Sequence, residues 1–141
     1  MINIAYQIYL AGGITGLTFE ESNDWRVFIK NKLIQIADSS VKIINPNDYF
    51  NFLLKTHETE REVKNFDLHL VRNADLIIVN FNAPNSIGTA QELAVANENK
   101  IPILGLNEHN FMLHPWLVES CERIFDNRMD LIYYVQNYYL S

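Results

Sequence analysis

The sequence predicts an α/β fold: a single doubly wound sheet of about five parallel strands, flavodoxin-like or Rossmann-like. Three observations carry that prediction. Short apolar runs alternate with stretches of helical periodicity, the connections between them are short, and Leu76, Ile77, Ile78 and Val79 form a continuous apolar run. A strand covered on both faces of a parallel sheet needs such a run, so this strand is expected to be central. With 141 residues, 48% of them hydrophobic, the chain can bury one sizeable core and is too short for two ordinary domains. A single domain spanning 1–141 is expected.

The elements follow in order. Residues 4–11 carry Ile4, Tyr6, Ile8, Tyr9 and Leu10, a first strand that stops at Gly12 and Gly13. The turn Gly12, Gly13, Ile14, Thr15, Gly16 has the ingredients of a small anion nest, because glycine allows positive φ and close approach to main-chain N–H groups. The same glycines also fit plain turn chemistry. Their spacing matches neither GxGxxG nor a GK[ST] phosphate loop, so nicotinamide-cofactor and P-loop readings lose their usual support. Thr18, Phe19, Glu20 and Glu21 fit a capping box, and Trp25, Phe28, Ile29, Leu33 and Ile36 mark one face of a helix to about residue 37. Residues 41–44 make a second strand, ended by Asn45, Pro46 and Asn47.

Residues 48–58 mix Tyr49, Phe50, Phe52 and Leu53 with Lys55, Thr56 and His57 and show no clean period. They read either as a flap whose aromatics stack on a flat ligand or as a satellite cluster under a loop. A second capping box, Thr59 to Glu62, opens a helix to about residue 73 with Val63, Phe66, Leu70 and Val71 as its stripe. After the central strand, a loop rich in Asn, Pro and Gly leads to a helix over 89–99, with Ala90, Leu93, Ala94 and Ala96 spaced to cover the sheet. Residues 103–106 form the fourth strand, Pro115 opens a short helix through Cys121, and Ile124 and Phe125 suggest a clipped fifth strand. Residues 129–139 form an aromatic-rich terminal helix, suited to a dimer interface or to packing on the sheet edge.

A net charge of -6 without a basic cluster excludes a dedicated nucleic-acid or anionic-membrane surface. Cys121 is the sole cysteine, which rules out an intramolecular disulfide and a cysteine-built metal site. The sequence shows no targeting or membrane-spanning segment, so a cytoplasmic protein is expected. His57, His69, His109 and His114 form no ligand cluster of recognised spacing, and no metal or cofactor is expected.

Two carboxylates stand out. Asp67 lies four residues from both Val63 and Val71, inside the apolar stripe of its helix. Burial without a partner would raise its pKa, as suits a proton donor, whereas a salt bridge to Arg61 or Arg72 would give it a structural role. Glu92 has its own structural explanation, since Thr89 to Glu92 is a capping box. Against that, a carboxylate in a first helical turn beyond a central strand points into the ligand crevice, where the helix dipole favours its ionised form. One ionised and one protonated carboxyl across a crevice can perform glycosidic chemistry.

The ordered set IYLAGGITG, then Asp67 before ADLIIVN, then NSIGTAQELAVA, resembles the nucleoside 2-deoxyribosyltransferase family over most of the chain through about residue 106. The resemblance implies that Glu92 attacks C1′ of a 2-deoxyribosyl group and holds it covalently. It also implies that Tyr9 contacts the nucleophile and that Asp67 protonates the departing base, with release to another base or to water. The partners implied are a nucleoside or nucleotide and a free nucleobase, with Gly12 to Gly16, Ser86 and Gly88 as substrate contacts.

Two positions depart from the pattern. Ser86 stands where transferases acting on free nucleosides often carry an aspartate, and in this it looks like the related 2′-deoxynucleoside 5′-monophosphate N-hydrolases. Those enzymes carry an arginine in the glycine turn, where this chain has Thr15. Both groups complete the site from a neighbouring subunit, through a segment corresponding to residues 112–116, which makes His114 a candidate contact and a homo-oligomer, dimer or larger, the expectation. A cytokinin-activating phosphoribohydrolase shares the Gly-Thr-x-x-Glu helix start but also needs a double-glycine loop absent here. A non-catalytic nucleotide sensor needs no Tyr9, Asp67 and Glu92 together.

Overall fold

The structure, a computed structural model, describes residues 5–37, 40–50 and 56–140. Five strands, β1 (Tyr6–Gly12), β2 (Val41–Ile44), β3 (Leu76–Asn80), β4 (Ile103–Leu106) and β5 (Arg123–Phe125), form one sheet in the order β2-β1-β3-β4-β5. Every pairing is parallel. The helices are α1 (Phe19–Ile36), α2 (Glu60–Arg72), α3 (Ile87–Glu98), α4 (Pro115–Ser120) and α5 (Arg128–Tyr138), with a 3-10 turn at Pro46–Tyr49. This is the expected doubly wound, flavodoxin-like α/β architecture, with β3 at its centre. The chain direction across the sheet reverses between β1 and β3, whose carboxyl ends flank the crevice where ligands of such sheets bind.

Strand alternation assigns side chains to two cores. Ile8, Leu10, Leu76 and Ile78 pack with Trp25, Ile29 and Leu33 of α1 and with Leu131, Ile132 and Val135 of α5. Tyr9, Ala11, Ile77 and Val79 face the other way, toward Val71 of α2 and Leu93 and Ala96 of α3. Tyr9 is therefore on the same side of the sheet as Asp67 and Glu92.

Two of the three expected capping boxes form: Thr18 with Glu21, and Thr59 with Glu62. Ile4 and the flap residues Phe52, Leu53 and Lys55 lie outside the described residues. Three details differ from expectation. Ile36 is 39% exposed, at the last residue of α1. Ala90 and Ala94 are exposed, since Thr89, Leu93 and Ala96 form the buried stripe of α3. That helix also starts at Ile87, two residues earlier than its pattern suggests, because Ser86 takes the N-cap position. At the chain end, Tyr134 packs on Phe125 of the edge strand, while Tyr133 and Tyr138 are exposed. Among the described residues, no helix is long and apolar enough to cross a membrane.

Candidate functional site

A cavity of about 760 Å³ opens at the carboxyl ends of β1 and β3. Its walls come from four segments: Gly12, Ile14 and Thr15 of the glycine turn; Asn47, Phe50, Thr56 and His57 after β2; Val63, Lys64 and Asp67 of α2; and the start of α3 from Ser86 to Glu92. Phe50 and His57 stand edge-on at 5.4 Å, and Tyr49 packs edge-on against Phe66 at 5.2 Å. The described part of the flap thus contributes cavity wall and a satellite cluster together.

Tyr9, completely buried, donates its hydroxyl hydrogen to the Glu92 carboxylate. With Ser86 as cap, Glu92 is the sixth residue of α3, so the Thr89–Glu92 capping box does not form and the structural explanation for this glutamate falls away. The dipole expectation also fails, because the helix field is concentrated in the first turn. Burial dominates instead and, with the Asp67 charge, pushes the Glu92 carboxyl up to about 8, while the Tyr9 hydrogen bond and Arg26 pull it down. The Tyr9 phenol rises well above its ordinary value through burial and then the charges of Glu92 and Asp67.

Asp67 has its Oδ1 buried with no hydrogen-bond partner. The ion pairs among the described residues are Lys30–Asp48 and Arg128–Glu108, so neither Arg61 nor Arg72 neutralises it there. Burial pushes its carboxyl up to about 7, against the pull of Arg26. Asp67 lines the cavity, and a carboxyl kept protonated there by burial is suited to proton donation.

The glycines divide by role. A Cβ on Gly12 would lie 2.8 Å from the Trp25 ring and one on Gly13 would lie 2.5 Å from Ala83, so packing requires both. Gly16 has φ of 84°. The anion-nest expectation weakens here: the Gly13 N–H already donates to Asn82 Oδ1 at 3.3 Å, and neither Gly13 nor Gly16 lines the cavity. Gly88 differs, since a Cβ there meets nothing within 4 Å and would occupy ligand space. Ser86 Oγ accepts from Thr89 N–H at 3.3 Å and from Thr89 Oγ1 at 3.0 Å. His114 does not line this cavity; its Nδ1 accepts from Trp116 N–H at 3.1 Å and caps α4.

The residue that sequence reasoning missed is Arg26, completely buried and donating to three backbone carbonyls around the glycine turn. A signal was available: Arg26 is three residues before Ile29 and seven before Leu33, inside the apolar stripe of α1. Among the described residues, no group of three His, Cys, Asp or Glu side chains is placed to hold a metal ion.

Together these features define a doubly wound α/β protein with a two-carboxylate crevice at its switch point. No protein-family model matches the chain, and no curated protein matches it in sequence. Solved structures do match. A conserved protein from Enterococcus faecalis superposes with a TM-score of 0.76 at 17% identity, covering 92% of this chain and 96% of that one. A 2-deoxyribosyltransferase from Bacillus psychrosaccharolyticus gives 0.73 at 18% identity, covering 94% and 91%. A CMP N-glycosidase from Clostridium botulinum gives 0.58 at 16% identity, covering 94% and 98%. At such identities the likeness is one of fold, and function must be argued from the site.

Proposed function

We propose that this protein is an enzyme of the nucleoside 2-deoxyribosyltransferase family that cleaves the N-glycosidic bond of 2′-deoxynucleosides and transfers the 2-deoxyribosyl group to another nucleobase. The observation that carries the reading is that Glu92, held by the Tyr9 hydroxyl, and Asp67, with one carboxyl oxygen unpartnered, line one cavity. The fold likeness to a deoxyribosyltransferase and to an N-glycosidase supports it.

In the first step an ionised Glu92 oxygen attacks C1′ while the C1′–N bond breaks and its electron pair goes to the base. Asp67 supplies the proton that the leaving nitrogen takes up. In the second step a nitrogen of the acceptor base attacks C1′, its proton returns to Asp67, and the glycosyl–Glu92 bond breaks. Tyr9 steadies the carboxylate through its hydrogen bond. Phe50 and His57 offer faces for the planar base.

A second reading, hydrolysis of 2′-deoxynucleoside 5′-monophosphates to free base and deoxyribose 5-phosphate, is favoured by the start of α3. Ser86 and Gly88 line the cavity there, and at the helix start the Ile87 and Gly88 N–H groups precede the first intrahelical bond, as at an anion site. Lys64 lines the same cavity and supplies a positive charge that the glycine turn lacks. In either reading a second copy of the chain completes the site through residues 112–116, where Met112 is 96% and Trp116 80% exposed.

The test is incubation with each 2′-deoxynucleoside and each 5′-monophosphate, with and without a second base, followed by chromatography. A new nucleoside formed only with acceptor base is the expected result. Base and deoxyribose 5-phosphate from monophosphates alone would select the hydrolase. Binding without turnover, unchanged in Glu92→Ala, would make the protein a sensor and overturn both enzymatic readings.

A further inference from the structure

The helix α2 runs back along the sheet to enter β3, so its amino end lies at the carboxyl edge, where the cavity opens. From Asp67 toward that mouth, Lys64 comes three residues along the helix and Glu60 four beyond it. This spacing puts the three on one face, and all three line the cavity. The helical rise sets Lys64 about 4.5 Å and Glu60 about 10.5 Å from Asp67 along the axis. Phe50 and His57 line the same cavity, edge-on to each other at 5.4 Å.

Polar groups on this wall differ in whether they can adapt. Asn47, Thr56, His57, Asn85 and Gln91 each offer both a donor and an acceptor, so each can meet either kind of ligand edge. Lys64 only donates, and an ionised Glu60 only accepts. The ion pairs among the described residues are Lys30–Asp48 and Arg128–Glu108, so Lys64 is tied there neither to Glu60 nor to Asp67, although helical spacing favours such pairs.

We propose that Lys64 and Glu60 select the base, and that the cavity takes bases presenting a ring carbonyl beside a ring N–H: hypoxanthine, guanine, uracil and thymine. With the glycosidic bond between Glu92 and Asp67, the base extends toward the mouth, where Lys64 donates to the carbonyl and Glu60 accepts from the N–H. Adenine and cytosine carry an amino group and an unprotonated nitrogen at those places. Donor would then face donor and acceptor face acceptor, which rejects them. This selection rests on the function proposed above, in its nucleoside form, where no phosphate competes for Lys64.

Deamination pairs isolate the contact, since deoxyinosine and deoxyadenosine, like deoxyuridine and deoxycytidine, differ only at this edge. In wild type the carbonyl member of each pair should have the higher kcat/KM, by about tenfold or more. That ratio should fall toward one in Lys64→Met, with folding verified by melting, and should reverse when Glu60→Lys is combined with Lys64→Glu. A wild-type ratio near one, or a ratio unchanged in Lys64→Met, overturns the proposal. A loss in Lys64→Met confined to 5′-monophosphates and equal within each pair would assign Lys64 to phosphate and overturn it as well.

Absence of turnover on all four nucleosides is a failure of the proposed function, and base selection is then decided by calorimetric titration of the same nucleosides. Tighter binding of the carbonyl members, lost in Lys64→Met, upholds it, and equal or undetectable binding overturns it.

Discussion

Glu92→Gln should stabilise the protein while abolishing turnover, and the gain should grow with pH. The folded state raises the Glu92 carboxyl from its ordinary 4.5 to about 8, chiefly by burial. Between those values the folded chain holds a proton that the unfolded chain has lost, so wild-type stability falls as pH rises through this window and levels off above it. At about 1.4 kcal/mol per pH unit, the full penalty is about 5 kcal/mol. Glutamine keeps an acceptor for the Tyr9 hydroxyl and has no charge to desolvate. Relative to wild type, Glu92→Gln should gain about 2 kcal/mol near about pH 6 and about twice that near about pH 8.5, before any loss from imperfect amide pairing. Urea unfolding of both proteins at several pH values measures the difference. A stability difference independent of pH would refute burial of an ionisable Glu92.

Other expectations follow from the same geometry. The kcat/KM profile should be bell-shaped, with limbs at about 7 and about 8 that belong to the coupled Glu92–Asp67 pair; because the higher value sits on Glu92, the reactive form, Glu92 ionised and Asp67 protonated, is the minor of the two singly protonated forms. Tyr9→Phe removes a hydrogen bond that favours ionised Glu92, so the acid limb should move to higher pH. Asp67→Asn should lower kcat by about 10²-fold or more, with a smaller loss on nucleosides whose base leaves without protonation, a contrast read by steady-state kinetics. Gly12→Ala should destabilise by about 1–3 kcal/mol through the clash with Trp25 and the Asn80 carbonyl. Gly88→Ala should leave the melting temperature equal or higher and raise KM, because its methyl enters open cavity.

What the sequence revealed was mostly local. The Thr18 and Thr59 capping boxes and the apolar run of β3 depend on neighbours a few residues away, and they appear in the structure as their patterns predict. The start of α3 was harder to place, because Ser86 and Thr89 are both good caps three residues apart and only the fold of the preceding loop chooses between them. Asp67 was legible through its misplaced charge in an apolar stripe. Arg26 occupied an equally anomalous place in α1, yet its role depends on carbonyls at the end of β1, which no helical pattern displays. The short contact between Tyr9 and Glu92 is a tertiary fact of the same kind, set by which face of β1 Tyr9 occupies, and here the family resemblance supplied what periodicity did not.

The central claim is that Glu92 carries the sugar. Rapid acid quenching of the protein during turnover of a 2′-deoxynucleoside or its 5′-monophosphate, followed by digestion and mass spectrometry, tests it most directly. The account predicts one deoxyribosyl group, or its 5-phosphate, on the peptide containing Glu92, and none in Glu92→Gln. An adduct on another residue, or turnover that survives in Glu92→Gln, would contradict it.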